Sequence, residues 1–176
     1  MKILDTYFGK ALILEGNGRA DRRGTMLQCF SDREAKELGL DFSVRDLRIY
    51  VMPKTGTFFG IHYYDEKDPV NRILTVVQGR GMDYLIDLRP GSPTYLQYVQ
   101  YELSTENKKV VYIPYGIGHA FISLEENTIQ AYATDTHGNM GITKQLHYSE
   151  PKIGLSLPCP ITAISDYDEK APLLDS

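Results

Sequence analysis

Tryptophan is absent from this 176-residue chain, and cysteine occurs only twice. Cys29 and Cys159 lie far apart in the sequence, so they indicate neither a disulfide framework nor a cysteine-based zinc site. No apolar run is long enough to span a bilayer, and the first residues lack the cleavage pattern of a signal peptide. These absences favour a cytoplasmic protein that does not bind a membrane.

Excess positive charge is also lacking. The formal net charge is -4, and the isoelectric point is near 5.6. An acidic chain of this kind argues against a nucleic-acid partner. Neither a Walker-type phosphate loop nor a glycine-rich Rossmann turn after a strand occurs. A local group of arginines could still bind an anionic ligand, because guanidinium groups grip phosphate in a bidentate manner.

The residues that are present indicate one β-rich globular domain over residues 1–176. Hydrophobic residues make up 42% of the chain and charged residues 24%, which is ordinary for a globular protein. The 13 tyrosines, 15 glycines and 9 prolines are typical of many strands separated by turns.

Local patterns predict most of the strands. Two runs around a glycine turn, "RILTVVQG" and "MDYLIDLR", predict a hairpin. The run "TYLQYVQYEL" alternates in polarity, with its odd-numbered residues from Tyr95 to Leu103 on one face. Further strands are predicted at "KKVVYIP" and "NTIQAYATDT". Short strands at this spacing predict a sandwich or barrel.

Two short helices are expected. Ser31 and Glu34 form an S-x-x-E capping box, and Gly39 supplies a stop. A second helical stretch is expected near the C-terminus, where the local signal is weaker.

His62 closes the stretch "GTFFGIH" and has three interpretations: a packed structural residue, a general base or a metal ligand. His119 follows a turn in "IPYGIGHAF" and has the same alternatives. A histidine–metal site in a small barrel usually has a second histidine two residues further on. That position is Tyr64 after His62, and no H-x-H occurs anywhere, so no metal site is predicted.

A series of short motifs resembles the dTDP-4-dehydrorhamnose 3,5-epimerase family. In order they are "DRRG" at 21–24, "GIH" at 60–62, "GRGMDYLIDLRPGSPTY" at 79–95, "LSTEN" at 103–107, "IPYGIGHAF" at 113–121, "QAYAT" around Tyr132 and "AISDYDEKAP" at 163–172. The resemblance spans nearly the whole chain. It implies an all-β, cupin-type jelly-roll β-sandwich or barrel with a few short helices.

The resemblance also implies roles for individual residues. His62 matches the general base, Asp168 the carboxylate that orients it, and Tyr132 the acid that delivers a proton from the opposite face of the sugar. Three further positions match residues that line the pocket or hold the nucleotide diphosphate: His119, Asp83 and Arg23. The family works without a metal or other cofactor, usually as a homodimer in which strands of one subunit complete the other's site.

Several positions depart from the family pattern. Phe59 stands where an arginine near the diphosphate is usual, and Arg72 where a lysine near the ketone is usual. Gln28 replaces a glutamate at a site contacting the nucleotide base, and Gly138 replaces a tyrosine. These changes concern recognition of nucleotide and sugar, so the reaction type is indicated more clearly than the substrate, whose base could be that of dTDP, CDP, GDP or UDP.

The implied function is an epimerase that inverts carbon 3, carbon 5 or both of a nucleotide-linked 4-keto-6-deoxy-hexose. It would act in making deoxysugars for cell surfaces, such as O-antigen, or for antibiotics. The alternatives are a related cupin keto-sugar isomerase and a non-catalytic sugar-nucleotide-binding module. A metal-dependent cupin oxygenase is the least supported.

Overall fold

The computed structural model describes residues 1–137 and 143–174, and in these ranges the chain forms mostly short strands. In chain order the strands are β1 (Lys2–Tyr7), β2 (Ala11–Glu15), β3 (Asn17–Asp21), β4 (Gly24–Gln28), β5 (Asp46–Met52), β6 (Phe58–Tyr63), β7 (Arg72–Gln78), β8 (Arg80–Asp87), β9 (Tyr98–Ser104), β10 (Lys109–Ile113), β11 (Ile117–Ser123), β12 (Thr128–Thr134) and β13 (Lys144–Gln145). The helices are α1 (Asp32–Glu37) and α2 (Asp166–Glu169). No helix in these ranges has the length and apolar character needed to cross a membrane.

The strands form two antiparallel sheets and a separate hairpin. One sheet has six strands in the order β1-β2-β10-β7-β12-β5, and the other has five in the order β13-β6-β11-β8-β9. Strands β3 and β4 pair only with each other among the described strands. This arrangement confirms the expected all-β jelly roll.

The main hydrophobic core lies between the two sheets. Leu74 and Val111 come from the six-stranded sheet, and Leu85 and Phe121 come from the five-stranded sheet. All four are essentially inaccessible to solvent, and burying each such side chain contributes about 1.5–3 kcal/mol. The core therefore fixes the distance between the two sheets.

Each sheet is also covered on its outer face. The segment containing α1 packs on the six-stranded sheet through Ala35, Leu40 and Phe42. The C-terminal segment packs on the five-stranded sheet through Leu146 and Ile153. This outer layer matters for function because the same segment continues into α2 and Asp168.

The predicted hairpin of residues 72–79 and 82–89 is wrong. Strands β7 and β8 are consecutive in the chain, but they belong to opposite sheets. The chain crosses between the sheets at Gly79, where φ is +70° and a Cβ would lie 2.7 Å from the side chain of Thr128. A glycine turn between two buried strands does not by itself distinguish a hairpin from such a crossing.

The other local predictions hold with two adjustments. Strand β9 begins at Tyr98, because residues 94–97 form a turn with Leu96 at a φ of 66°. In α1, the Ser31 hydroxyl accepts from the backbone N–H of Glu34, and Gly39 follows with a φ of +74°. The Glu34 carboxylate, however, bonds to Asn17 instead of closing the capping box.

Candidate active site

A cavity of about 330 Å³ opens between the two sheets and α2. Its size is within the range of small-molecule sites. Strands β5 and β12 form one wall, and β6 forms another. Among the described residues, it is lined by Arg48, Tyr50, Phe59, His62, Tyr64, Tyr132, Thr143, Ser165, Tyr167 and Asp168.

A close approach of two strands positions His62. It lies opposite His119 across β6 and β11, and a register shift follows immediately beyond this pair. At Gly60, where φ is +122°, a Cβ would lie only 2.7 Å from the Cα of Ala120. A side chain there would push β6 away from β11. Gly60 therefore allows the local geometry that turns His62 into the cavity.

Asp168 reaches His62 from α2. Its Oδ1 lies 2.6 Å from His62 Nε2, and its Oδ2 accepts from the backbone N–H of Gly60 at 3.4 Å. The Ser165 hydroxyl caps α2 by accepting from the backbone N–H of Asp168. An ionised carboxylate only accepts hydrogen bonds, so Nε2 carries the hydrogen and Nδ1 keeps its lone pair. The pair can therefore act as an oriented base.

Tyr132 enters the cavity from β12, on the opposite sheet. Its ring makes an edge contact with Tyr50, with centroids 5.7 Å apart. Burial raises the pKa of the Tyr132 phenol to about 12, although the positive charge of Arg72 opposes the shift. The phenol is therefore protonated at neutral pH, which suits a proton donor.

Arg72 is completely buried behind the cavity. Its guanidinium donates to the backbone carbonyl oxygens of His62 at 3.1 Å and Ile117 at 2.6 Å, and it lies 5.4 Å from the centroid of the Tyr64 ring. It does not belong to the described lining residues. Arg72 therefore braces β6 through the backbone carbonyl of His62, and its expected contact with the substrate stays a prediction.

His119 and Asp83 form a second, deeper histidine–aspartate pair. His119 Nε2 lies 2.7 Å from Asp83 Oδ2, and the hydroxyl of Tyr101 donates to Asp83 Oδ1 at 2.7 Å. Asp83 is fully buried, and neither member of the pair is on the described part of the cavity wall. His119 is the cross-strand partner of His62, and the expectation that this second pair lines the pocket stays a prediction. No cluster of three metal-ligating side chains occurs in residues 1–137 and 143–174.

Arg23 and Gln28 lie on the β3–β4 hairpin and are not among the described residues that line the cavity. The Arg23 side chain is 84% exposed and bonds to Asp21. Gln28 accepts from the side chain of Asn17. Phe59, in contrast, does line the cavity and packs edge-on against Tyr50 at 5.3 Å. Gly138 lies outside the described residues.

Sequence reasoning did not single out the β5 wall of the cavity. Arg48 and Tyr50 face inward, while the residues between and beside them face outward. The alternation of "DLRIYVM" was available as a signal, but its polarity is inverted: the apolar residues point outward. A half-buried strand normally buries its apolar side.

Comparison with known proteins shows which family the chain belongs to. The family model for dTDP-4-dehydrorhamnose 3,5-epimerase matches residues 5–176. A dTDP-4-dehydrorhamnose 3-epimerase of Streptomyces niveus is 29% identical over 157 residues, covering 89% of this chain and 75% of the relative.

Two crystal structures are also similar. The dTDP-4-dehydrorhamnose 3,5-epimerase of Bacillus anthracis, with TDP and PPi bound, has a TM-score of 0.93 and 27% identity, covering 98% of this chain and 99% of that one. The dTDP-6-deoxy-D-glucose-3,5-epimerase of Legionella pneumophila, in complex with dTDP-4-keto-L-rhamnose, has a TM-score of 0.89 and 28% identity, covering 98% and 92%. With the family match extending over almost its whole length, the chain belongs to the dTDP-4-dehydrorhamnose 3,5-epimerase family.

Proposed function

We propose that this protein is an epimerase that inverts carbon 3, carbon 5 or both of a nucleoside-diphosphate-linked 4-keto-6-deoxy-hexose. One observation carries the proposal: the His62–Asp168 pair and Tyr132 enter one cavity from opposite sheets. An inversion needs a base on one face of the sugar and an acid on the other. The relatives that bind TDP and a dTDP keto-sugar make a dTDP sugar the first substrate to test.

The keto group of the substrate acidifies the neighbouring C–H bonds, so that side chains of this kind can remove a proton. Carbons 3 and 5 are both bonded to the carbonyl carbon, C4, and a C–H bond beside a carbonyl is acidic enough for an imidazole base. His62 Nδ1 takes the proton, and the electrons of the C–H bond form an enolate. Asp168 stabilises the imidazolium that results.

Tyr132 completes the inversion. Its hydroxyl gives a proton to the same carbon from the other face, and the enolate returns to a ketone. His62 then loses its proton to solvent, and the Tyr132 phenolate regains one. Arg72 supplies positive charge behind the site, which favours the enolate over the neutral ketone.

The partner we propose, besides the substrate, is a second copy of the chain. On the outer face of β5, Leu47, Ile49 and Val51 are 62%, 56% and 60% exposed. Contiguous apolar surface of this kind marks interfaces. An isolated two-stranded hairpin is only marginally stable, so packing against a second copy would also stabilise the β3–β4 hairpin. A second copy would bring its Arg23 and Gln28 to the neighbouring cavity. A location in the cytoplasm stays a prediction.

The test is proton exchange in heavy water. The protein is incubated in D₂O with 4-keto-6-deoxy-sugar nucleotides of dTDP, CDP, GDP and UDP, and label is located by NMR. We expect deuterium at carbon 3, carbon 5 or both, with inversion at each labelled centre. His62→Ala should abolish the exchange, because no other base replaces the oriented imidazole.

The pattern of label also separates the alternatives. Label at carbon 3 alone identifies a 3-epimerase, as in the Streptomyces niveus relative. Migration of the keto group to a neighbouring carbon identifies an isomerase that uses the same enolate. Binding without exchange on any of the four nucleotides identifies a non-catalytic module and overturns the proposed function.

A further inference from the structure

We propose that Arg48 holds the substrate's diphosphate and so contributes to the affinity of the cavity for its ligand. This inference rests on the proposed function, since it assumes a nucleoside-diphosphate ligand. It assigns a binding role to a residue on β5, on the wall opposite the catalytic histidine.

The strand places Arg48 correctly for this role. Along β5, Asp46, Arg48 and Tyr50 face inward, and Arg48 lies directly opposite Tyr132 on the neighbouring strand β12. Arg48 and Phe59 both line the cavity. A phosphate bound at Arg48 would therefore lie at the cavity wall, with the attached sugar extending towards Tyr132 and His62.

The charge of the cavity wall points to the same residue. Of the described lining residues, Arg48 alone is a lysine or arginine, and Phe59 presents only an apolar ring. A diphosphate brings negative charge that must be matched when water is displaced. The planar guanidinium fork suits phosphate oxygens because it donates two parallel hydrogen bonds.

Neighbouring groups hold the guanidinium in place. The Asp46 carboxylate accepts from Arg48 Nη2 at 2.5 Å, and the Tyr50 side chain also interacts with the guanidinium. These partners restrict the rotamers of a side chain that is only 24% exposed, so less entropy is lost when an anion binds.

The experiment measures the affinity of four proteins for TDP by calorimetry: wild type, Arg48→Gln, Arg48→Lys and Arg45→Gln. Arg45 is an exposed arginine just before β5 and provides the matched control. We expect Arg48→Gln to weaken TDP binding by about 10- to 100-fold. Arg48→Lys should fall between it and wild type, and Arg45→Gln should match wild type. Adding Phe59→Arg to Arg48→Gln should recover affinity by returning a cation to the cavity.

A kinetic readout separates this role from a structural one. In the heavy-water assay, Arg48→Gln should raise KM while exchange at saturating substrate stays within a few-fold of wild type. Wild-type TDP affinity in Arg48→Gln, or equal losses in Arg48→Gln and Arg45→Gln, would overturn the inference while leaving the proposed function intact. Absence of exchange by wild type on every sugar nucleotide defeats the proposed function instead, whatever the TDP affinities.

Discussion

Asp168 and His62 are joined by a 2.6 Å contact although 106 residues separate them in the chain. The C-terminal segment is held in place for this contact by the cap at Ser165 and by a hydrogen bond from the Phe58 N–H to the carbonyl of Ala163 at 2.9 Å. The segment is therefore a wall of the site. An imidazole without this carboxylate would lose both its orientation and its preferred tautomer.

We expect Asp168→Asn to lower the rate of deuterium exchange by about 10²–10⁴-fold. The amide can present its N–H to Nε2 and so favour the wrong tautomer of His62. Asp166→Asn is the matched control, because Asp166 lies on the same helix with its side chain 89% exposed. Equal exchange rates in the two variants would show that the His62–Asp168 contact has no catalytic role.

Tyr132→Phe should separate exchange from inversion. The variant keeps His62 and the enolate but lacks the hydroxyl that reprotonates the opposite face. We expect exchange to persist while inversion falls by about 10²-fold or more. NMR of the product measures both. Tyr95→Phe, at an exposed tyrosine, should behave like wild type. A Tyr132→Phe enzyme that inverts at the normal rate would assign the acid to another group.

Asp87 should contribute strongly to stability. It is fully buried; burial opposes its ionisation, but bonds from Arg89, Ser92 and Thr94 outweigh this and hold the pKa of Asp87 well below its usual range. We expect Asp87→Asn to lower the free energy of unfolding at neutral pH by about 2–4 kcal/mol, measured by urea denaturation. Asp68→Asn, at an exposed position, should change little.

The sign of the pH dependence follows from the same shift. A carboxyl whose pKa is lower in the folded state stabilises the protein above its unfolded pKa of about 3.9, and this contribution is lost as the pH falls towards the folded pKa. The difference in stability between wild type and Asp87→Asn should therefore shrink below about pH 4. A difference that stays constant down to pH 2 would contradict the assignment.

Gly60→Ala should damage both stability and activity. The new Cβ would lie 2.7 Å from the backbone of Ala120, at a φ of +122° that alanine rarely adopts. We expect a loss of about 3 kcal/mol or more in unfolding free energy, together with weaker exchange. Gly9→Ala is the control, since Gly9 has a φ of +73° but nothing within 4 Å of its Cβ position. Gly9→Ala should lower the unfolding free energy by about 1–2 kcal/mol, because only the unfavourable backbone conformation contributes. Equal losses of unfolding free energy in Gly60→Ala and Gly9→Ala would show that the close contact with Ala120 is not important for stability.

Ile49→Lys should shift the protein from dimer to monomer. Its side chain is 56% exposed on the apolar outer face of β5, where a charge would remain unpaired within an interface. Sedimentation velocity over a range of concentrations measures the equilibrium. Ile3→Lys, on the opposite edge strand β1, should leave it unchanged. A wild-type protein that is monomeric at all concentrations would reject the proposed second copy.

Local features of the fold were predictable from the sequence, whereas contacts between distant segments were not. The Ser31 cap and the inward face of β9 from Val99 to Leu103 depend on neighbouring residues and were predicted correctly. The β7–β8 hairpin was predicted wrongly, because the same glycine turn serves a crossing between sheets. Arg48 was not singled out, because a polar residue on an alternating strand normally faces solvent.

By itself, the sequence determined the all-β class, the family, and the candidate trio of His62, Asp168 and Tyr132. Strand alternation, caps and motifs are properties of short segments, so they can be recognised before folding is considered. Only the tertiary structure decided which side chains share the cavity. That outcome depends on strand register and on which sheet each strand joins. These two factors bring Arg48 and Phe59 to the cavity wall. They bury Arg72 and the His119–Asp83 pair away from the described lining and leave Arg23 on an exposed hairpin.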